Sequence, residues 1–246
     1  MRDTGIADRL RDAGLVVEEQ PGWQTRGSAL FAPKAVMWHH TASAMGKNLP
    51  SLNIVTNGRP DLVGPLCHVL IGRDNCSVVI AAGRANHAGA GSWNGNTTGN
   101  SAYWGIEVEN VGTTAEPWRP DQLQNVAEVT AALISYDPAL VAACCMHKEW
   151  APTRKIDMHT VSGNEMRARV MQLCIGTPPT PPPTPVHTYQ KDQPMFMISE
   201  GLGLFLLVNG NVCQFGTPQE FNKARESAPT IPTVVLPIPQ AKALIG

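Results

Sequence analysis

Apolar residues in the first two-thirds of the chain follow two different periods. Ile6, Leu10 and Leu15 fall near helical spacing and predict a short amphipathic helix. Ala35-Val36-Met37-Trp38 is an unbroken apolar run of strand length, and it ends at His39. Cys67 to Ile71 and Ser77 to Ala81 predict two strands joined by Gly72-Arg73-Asp74-Asn75, a hairpin turn. In Tyr103 to Val111, Ile106 and Val108 alternate with Glu107 and Glu109, as a strand requires. From Asp121, a candidate N-cap, Leu123, Val126, Thr130, Leu133 and Ile134 return to the helical period. Strands and helices mixed in this order predict an α/β domain around one central sheet.

Between these elements, Gly83 to Gly99 is rich in Gly, Asn and Ser and predicts a long loop. Loops of that length in a compact domain often carry function. Thr177-Pro178-Pro179-Thr180-Pro181-Pro182-Pro183-Thr184-Pro185 can build neither helix nor sheet ladder, because proline lacks the N–H donor. It predicts a stiff, extended spacer. The chain therefore divides into a domain at 1–176, a linker at 177–185 and a small α+β module at 186–246. In the module, Met195 to Ser199, Leu204 to Val208 and Thr233 to Leu236 are strand-like. Asn209-Gly210 is a tight-turn signal before Val212-Cys213-Gln214-Phe215. Thr217-Pro218-Gln219-Glu220 starts a helix, which gives a ββαβ-like pattern.

Composition narrows the function. With 246 residues, a net charge of -1 and no cluster of Lys and Arg, the chain lacks the electrostatic footprint of a nucleic-acid binder. The longest apolar run, Leu202 to Val208, is too short to span a membrane. The N-terminal residues are charged from Arg2 onward and contain no apolar signal core, so production in a cytoplasm without a signal peptide is expected. Cys67, Cys76, Cys144, Cys145, Cys174 and Cys213 form no C-x-x-C pair and read as small buried apolar residues.

The chemistry lies in two segments about a hundred residues apart, Trp38-His39-His40-Thr41 and His147 to Asp157. Among their three imidazoles, two, with a carboxylate and the Lys155 ammonium, would make the parts of a catalytic zinc site with three protein ligands and one position for water. His39 projects from the end of a strand and is assigned as a ligand. His40 should face the other way and is assigned to packing, to support of the ligand, or to the substrate cleft. A carboxylate on an apolar strand face is costly without a partner. Glu107 is therefore a candidate general base for a zinc-bound water, with Glu109 as its competitor. Lys155 is placed to stabilise a developing oxyanion. His68, His87, Trp93, Asn94 and Tyr103 are further candidates for contact with substrate.

Five segments carry a family resemblance: Val36 to Ala42, His68 to Asp74, Asn86 to Gly89, Gly105 to Glu109 and His147 to Asp157. Their order and approximate spacing resemble the type 2 N-acetylmuramoyl-L-alanine amidases, a group that includes phage endolysins and peptidoglycan recognition proteins. Asp61 to Leu66 and Gly91 to Gly95 are similar to endolysins of phages infecting actinobacteria. The resemblance implies a mixed central sheet flanked by helices. It implies zinc on His39, His147 and Asp157, with catalytic roles for Glu107 and Lys155. It further implies hydrolysis of the MurNAc–L-alanine amide of bacterial peptidoglycan, with a holin needed for release if the protein is an endolysin. A non-catalytic recognition protein of the same fold is the alternative. Two positions depart from the family pattern: Met158-His159 stands where proline is expected after the third ligand, and Met146 where glycine precedes the second histidine. The module at 186–246 is expected to bind cell wall, or else to serve as a dimerising or stabilising appendage.

Overall fold

Two all-apolar stretches, around residues 36 and 104, become the centre of the fold because both sheet faces there are covered. A computed structural model describes residues 1–176, 195–199, 203–208, 211–215, 217–227 and 233–235. The chain divides into two compact units, Met1–Pro181 and Pro182–Gly246.

In chain order the first unit contains α1 (Ile6–Asp12), β1 (Val17–Glu19), β2 (Ala35–His40), α2 (Leu52–Asn57), β3 (Gly58–Arg59), β4 (Leu62–Val63), β5 (Val69–Ile71) and β6 (Ser77–Val79). It continues with α3 (Gly99–Ala102), β7 (Tyr103–Val108), α4 (Pro120–Leu133), α5 (Pro138–Val141), β8 (Cys145–Met146), α6 (His147–Trp150) and α7 (Gly163–Ile175). Six strands form one sheet in the order β1-β6-β5-β7-β2-β8. Only β5 and β6 are antiparallel, and all other neighbours run parallel. The sheet is therefore mixed, and helices flank it.

Alternation along the strands divides the core between two clusters. Val69, Ile71 and Val79 join the large cluster, in which Val126, Leu133, Met166 and Val170 of α4 and α7 also pack. Leu70, Val78 and Ile80 join a smaller cluster with Val55 of α2. All six residues of β2 are buried. The Trp38 indole N–H donates to Thr130 Oγ1 at 2.8 Å and ties β2 to α4. The predicted hairpin lies between β5 and β6, with Asn75 at φ 68 in the left-handed region that Asn tolerates.

Some boundaries differ from the sequence expectation. Leu15 lies beyond the end of α1. The cap position of α4 is Arg119 with Pro120 at the first turn, and Asp121 instead bonds Arg119 and Asn75. Proline's fixed φ decides that start. α7 has no strong sequence signal, because only Gly163, Met166 and Val170 of its residues are buried.

In the second unit, β9 (Met195–Ser199), β10 (Gly203–Val208), β11 (Asn211–Phe215) and β12 (Thr233–Val235) form a sheet in the order β11-β10-β9-β12. Three strands, not two, precede α8 (Pro218–Ser227), because β11 completes an antiparallel meander with β9 and β10. Thr217 and Glu220 bond each other's backbone N–H at 3.2 Å, a reciprocal cap that starts α8. The Asn209-Gly210 turn and the Pro/Thr spacer at 177–185 lie outside the described residues. Among the described residues, no helix is long and apolar enough to cross a membrane.

Candidate active site and metal centre

Parallel pairing delivers the site. β2 lies between β7 and β8, so three strands end on the same side, the end where open α/β sheets place their ligands. His39 is the register partner of Glu107 across β2 and β7. β8 stops at Met146, and the next residue, His147, opens α6. Asp157 returns from the loop after α6. His39 Nδ1 lies 2.8 Å from His147 Nδ1 and 3.3 Å from Asp157 Oδ2, and His147 Nδ1 lies 2.8 Å from the same oxygen. All three residues are buried.

The far nitrogens fix the tautomers. His147 Nε2 lies 2.9 Å from the Ala88 carbonyl and must carry a proton to bond it. His87 Nε2 donates to the Tyr103 carbonyl at 3.2 Å, which leaves His87 Nδ1 as an acceptor. His39 Nε2, 3.1 Å away, must then donate to it. Both ligand candidates therefore turn a bare Nδ1 lone pair toward the Asp157 carboxylate. Three lone pairs aimed at one point repel unless a cation sits among them. Their spacings of 2.8, 2.8 and 3.3 Å do not exceed the edges, about 3.4 Å, of a tetrahedron with bonds of about 2.0–2.1 Å, so one ion can reach all three. The donor set thus fits zinc, and it is the only such group among the described residues.

The electrostatics agree. Burial, with help from His147, pushes the His39 pKa down to about 4, so the ring is neutral and free to ligate. Burial acts to raise Asp157, but the closeness of His147 and His39 outweighs it and holds the carboxylate well below its usual range. Glu107 goes the other way. Burial and the nearby Asp157 charge raise it well above the usual carboxylate range. Its Oε2 is buried with no hydrogen-bond partner. His39, His147, Asp157, Glu107 and Lys155 share the wall of one cavity of about 400 Å³.

Residues 30–160 match the sequence family described as N-acetylmuramoyl-L-alanine amidase. The chain belongs to that family. One relative is the 1,6-anhydro-N-acetylmuramyl-L-alanine amidase AmpD of Citrobacter freundii, 40% identical over 92 residues, or 37% of this chain and 48% of the relative. The chain thus spans about half the length of that curated relative. Among solved structures, a mutant endolysin from Bacillus subtilis is 18% identical with a TM-score of 0.47, covering 63% of this chain and 99% of that one. The amidase LysC from Clostridium intestinale gives 18%, 0.47, 63% and 96% for the same quantities.

The candidate site leaves several expected substrate contacts elsewhere. His68 is fully buried, stacks on Phe31 at 4.4 Å and accepts the Gly105 N–H at 2.8 Å, so it belongs to the core. Tyr103 is 2% exposed and packs against Trp150, because its side chain leaves β7 toward the apolar cluster. Trp93 and Asn94 both donate to the Ala142 carbonyl, at 3.4 and 3.0 Å, and Arg167 lies over the Trp93 ring. That part of the long loop folds toward the end of α5 and away from the cavity. His87 borders the cavity, yet both its ring nitrogens serve the protein. His40 also borders it, with its Nδ1 accepting the His159 N–H at 3.3 Å.

Glu109 is a structural carboxylate. It is fully buried and accepts from Thr41 Oγ1 at 2.8 Å, from the Ser43 hydroxyl, and from Ser51 N–H and Oγ at 2.8 and 3.1 Å. The irregular Met158-His159 segment is held as well. Lys148 Nζ donates to the carbonyls of Met158 and Val161 at 2.7 and 2.6 Å, and its N–H to Asp157 O at 2.9 Å. Trp118 Nε1 donates to His159 O at 2.7 Å. Arg154, unassigned by sequence, clamps the carbonyls of Ala88 and Ala90 at 3.1 and 2.7 Å.

Proposed function

We propose that the protein is a zinc-dependent N-acetylmuramoyl-L-alanine amidase that hydrolyses the amide between the MurNAc lactyl group and L-alanine in bacterial peptidoglycan. The observation that carries this reading is three converging donors and a Glu107 oxygen without a hydrogen-bond partner on the wall of one cavity. Family membership agrees with it. Bound at the three donors, zinc would supply a Lewis acid that polarises the amide carbonyl and acidifies a water.

The chain's own residues do the rest. Glu107 Oε2 has no competing donor, so it is free to take a proton from the attacking water. The environment that raises its proton affinity also suits it to hold that proton and pass it to the departing alanine nitrogen. Lys155, on the same wall, offers a positive charge to the carbonyl oxygen as it gains negative charge. His87 and the Ala88 carbonyl keep both histidine rings fixed from behind, so the donors need not reorganise.

The experiment is digestion of purified cell walls by zinc-loaded full-length protein, with mass analysis of the fragments. New free L-alanine N-termini, lost on chelation and restored by zinc, support the reading. Binding to walls without cleavage by the zinc-loaded protein would favour a recognition protein instead. We further propose an endolysin role, released through a holin, and wall binding by residues 186–246. Both rest on the sequence resemblance and on the spacer-plus-module organisation. Deleting 186–246 should weaken binding to intact walls while sparing turnover of soluble muropeptides. Unchanged wall binding would count against the module's role.

A further inference from the structure

We infer that Asn100, a residue outside the cavity wall, is a positioning residue that fixes which nitrogen each histidine ligand presents to the metal. The inference rests on the zinc reading above. His39 and His147 both lean on one dipeptide. The His87 ring accepts His39 Nε2–H, and the Ala88 carbonyl accepts His147 Nε2–H. That dipeptide lies in the long loop between β6 and α3, outside any strand or helix. Its two N–H groups both donate to Asn100 Oδ1, at 2.9 Å for His87 and 2.8 Å for Ala88. With donors on both contacts, the carboxamide must turn its oxygen, not its nitrogen, toward the loop.

Asn100 sits in α3, which runs directly into β7. Three residues on, the Tyr103 carbonyl receives His87 Nε2–H. One short stretch, 100–103, therefore anchors the dipeptide twice, once through a side chain and once through the backbone. Gly105, two residues further, leaves room for the ring: a Cβ there would lie 2.7 Å from His87 Cγ. Removing the Asn100 oxygen frees two backbone donors and releases the segment that holds both imidazoles. Losing support of this kind behind a metal ligand typically lowers metal affinity about tenfold to a hundredfold.

The test compares full-length wild type, N100A and N100D. Zinc affinity is read by competition with a chromophoric chelator, and histidine tautomers by nitrogen-15 NMR of the zinc-loaded protein. In wild type, His39 and His147 should bind through Nδ1 and carry Nε2–H, while His87 carries Nε2–H. N100A should bind zinc about tenfold to a hundredfold more weakly and lose the single tautomer pattern. N100D, which keeps an acceptor oxygen, should restore both. Wild-type affinity and tautomers in folded N100A would overturn the inference. Should N100A not fold, N100D decides: wild-type affinity and tautomers support it, and a tenfold or greater loss overturns it. A wild-type protein that fails to bind zinc would instead sink the underlying zinc reading.

Discussion

Two carboxylates lie two residues apart at the end of β7, Glu109 buried and Glu107 half-buried, and they occupy opposite kinds of surroundings. Glu109 receives hydrogen bonds from Thr41, Ser43 and Ser51 and lies 3.9 Å from Arg73. It fastens the loop after β2 to the start of α2. Glu107 has an oxygen with no partner at all and faces the cavity. A satisfied buried carboxylate is part of the scaffold. An unsatisfied one is an unfavourable arrangement, and such groups cluster where chemistry is done. The strand's end decides between them, because β7 stops at Val108 and Glu109 leaves the alternation.

The comparison breaks most decisively at Glu107. E107Q should lower kcat on a soluble muropeptide by about 10²–10⁴-fold, with zinc content unchanged. A variant that keeps its rate would end the assignment. H39A should lose stoichiometric zinc and activity together, and elemental analysis beside a wall-digestion assay checks this. E109Q should have the opposite profile: the buried donors lose their charged acceptor, so unfolding free energy falls by roughly 2–3 kcal/mol, while kcat per folded molecule is retained. A smaller effect is expected from K148M, which removes two bonds to the segment after Asp157. Its zinc affinity should drop about tenfold, measured by chelator competition, and wild-type affinity would show that the segment holds itself.

The smallest effect is one of pH on the zinc-free protein. Glu107 has a folded pKa raised above 4.5, so the penalty for holding it is absent below that pH and grows as pH rises. The stability gap between E107Q and wild type should therefore widen in favour of E107Q as pH increases. His68 runs in the other sense. Burial lowers it to about 3, so its contribution is complete above 6.5 and is lost as pH falls toward 3. H68Q should flatten the loss of stability between those limits. Urea titrations at a series of pH values read both trends, and a gap that narrows with rising pH for E107Q would contradict the first.

Much of this was legible in the residues. An apolar run ending in histidine places a donor at a strand terminus, and His147 with Asp157 supplies a matching pair, so the three donors that converge were all named from sequence. A glutamate inside an apolar alternation marked Glu107 and, equally, Glu109. Their separation was not legible, because it depends on Ser51 and Arg73, which reach Glu109 from distant segments. Nor was the service of His87 to His39, which requires knowing that Tyr103 O lies behind it. Trp93 and Asn94 misled because a glycine-rich loop says nothing of its direction, and this one doubles back to Ala142. His68 misled because a histidine between apolar neighbours can be core as readily as ligand.

The parallel pairing of β2 with β7 and β8 also governs when the site comes into being. His39 and His147 are 108 positions apart along the chain. They meet only after long crossover segments close, and contacts of such high sequence separation form slowly because loop closure precedes any reward. A chain still emerging during synthesis, or cut anywhere before Asp157, holds no complete donor set. A complete donor set therefore arrives only with the finished sheet, so metal binding at this site would be a readout of folding.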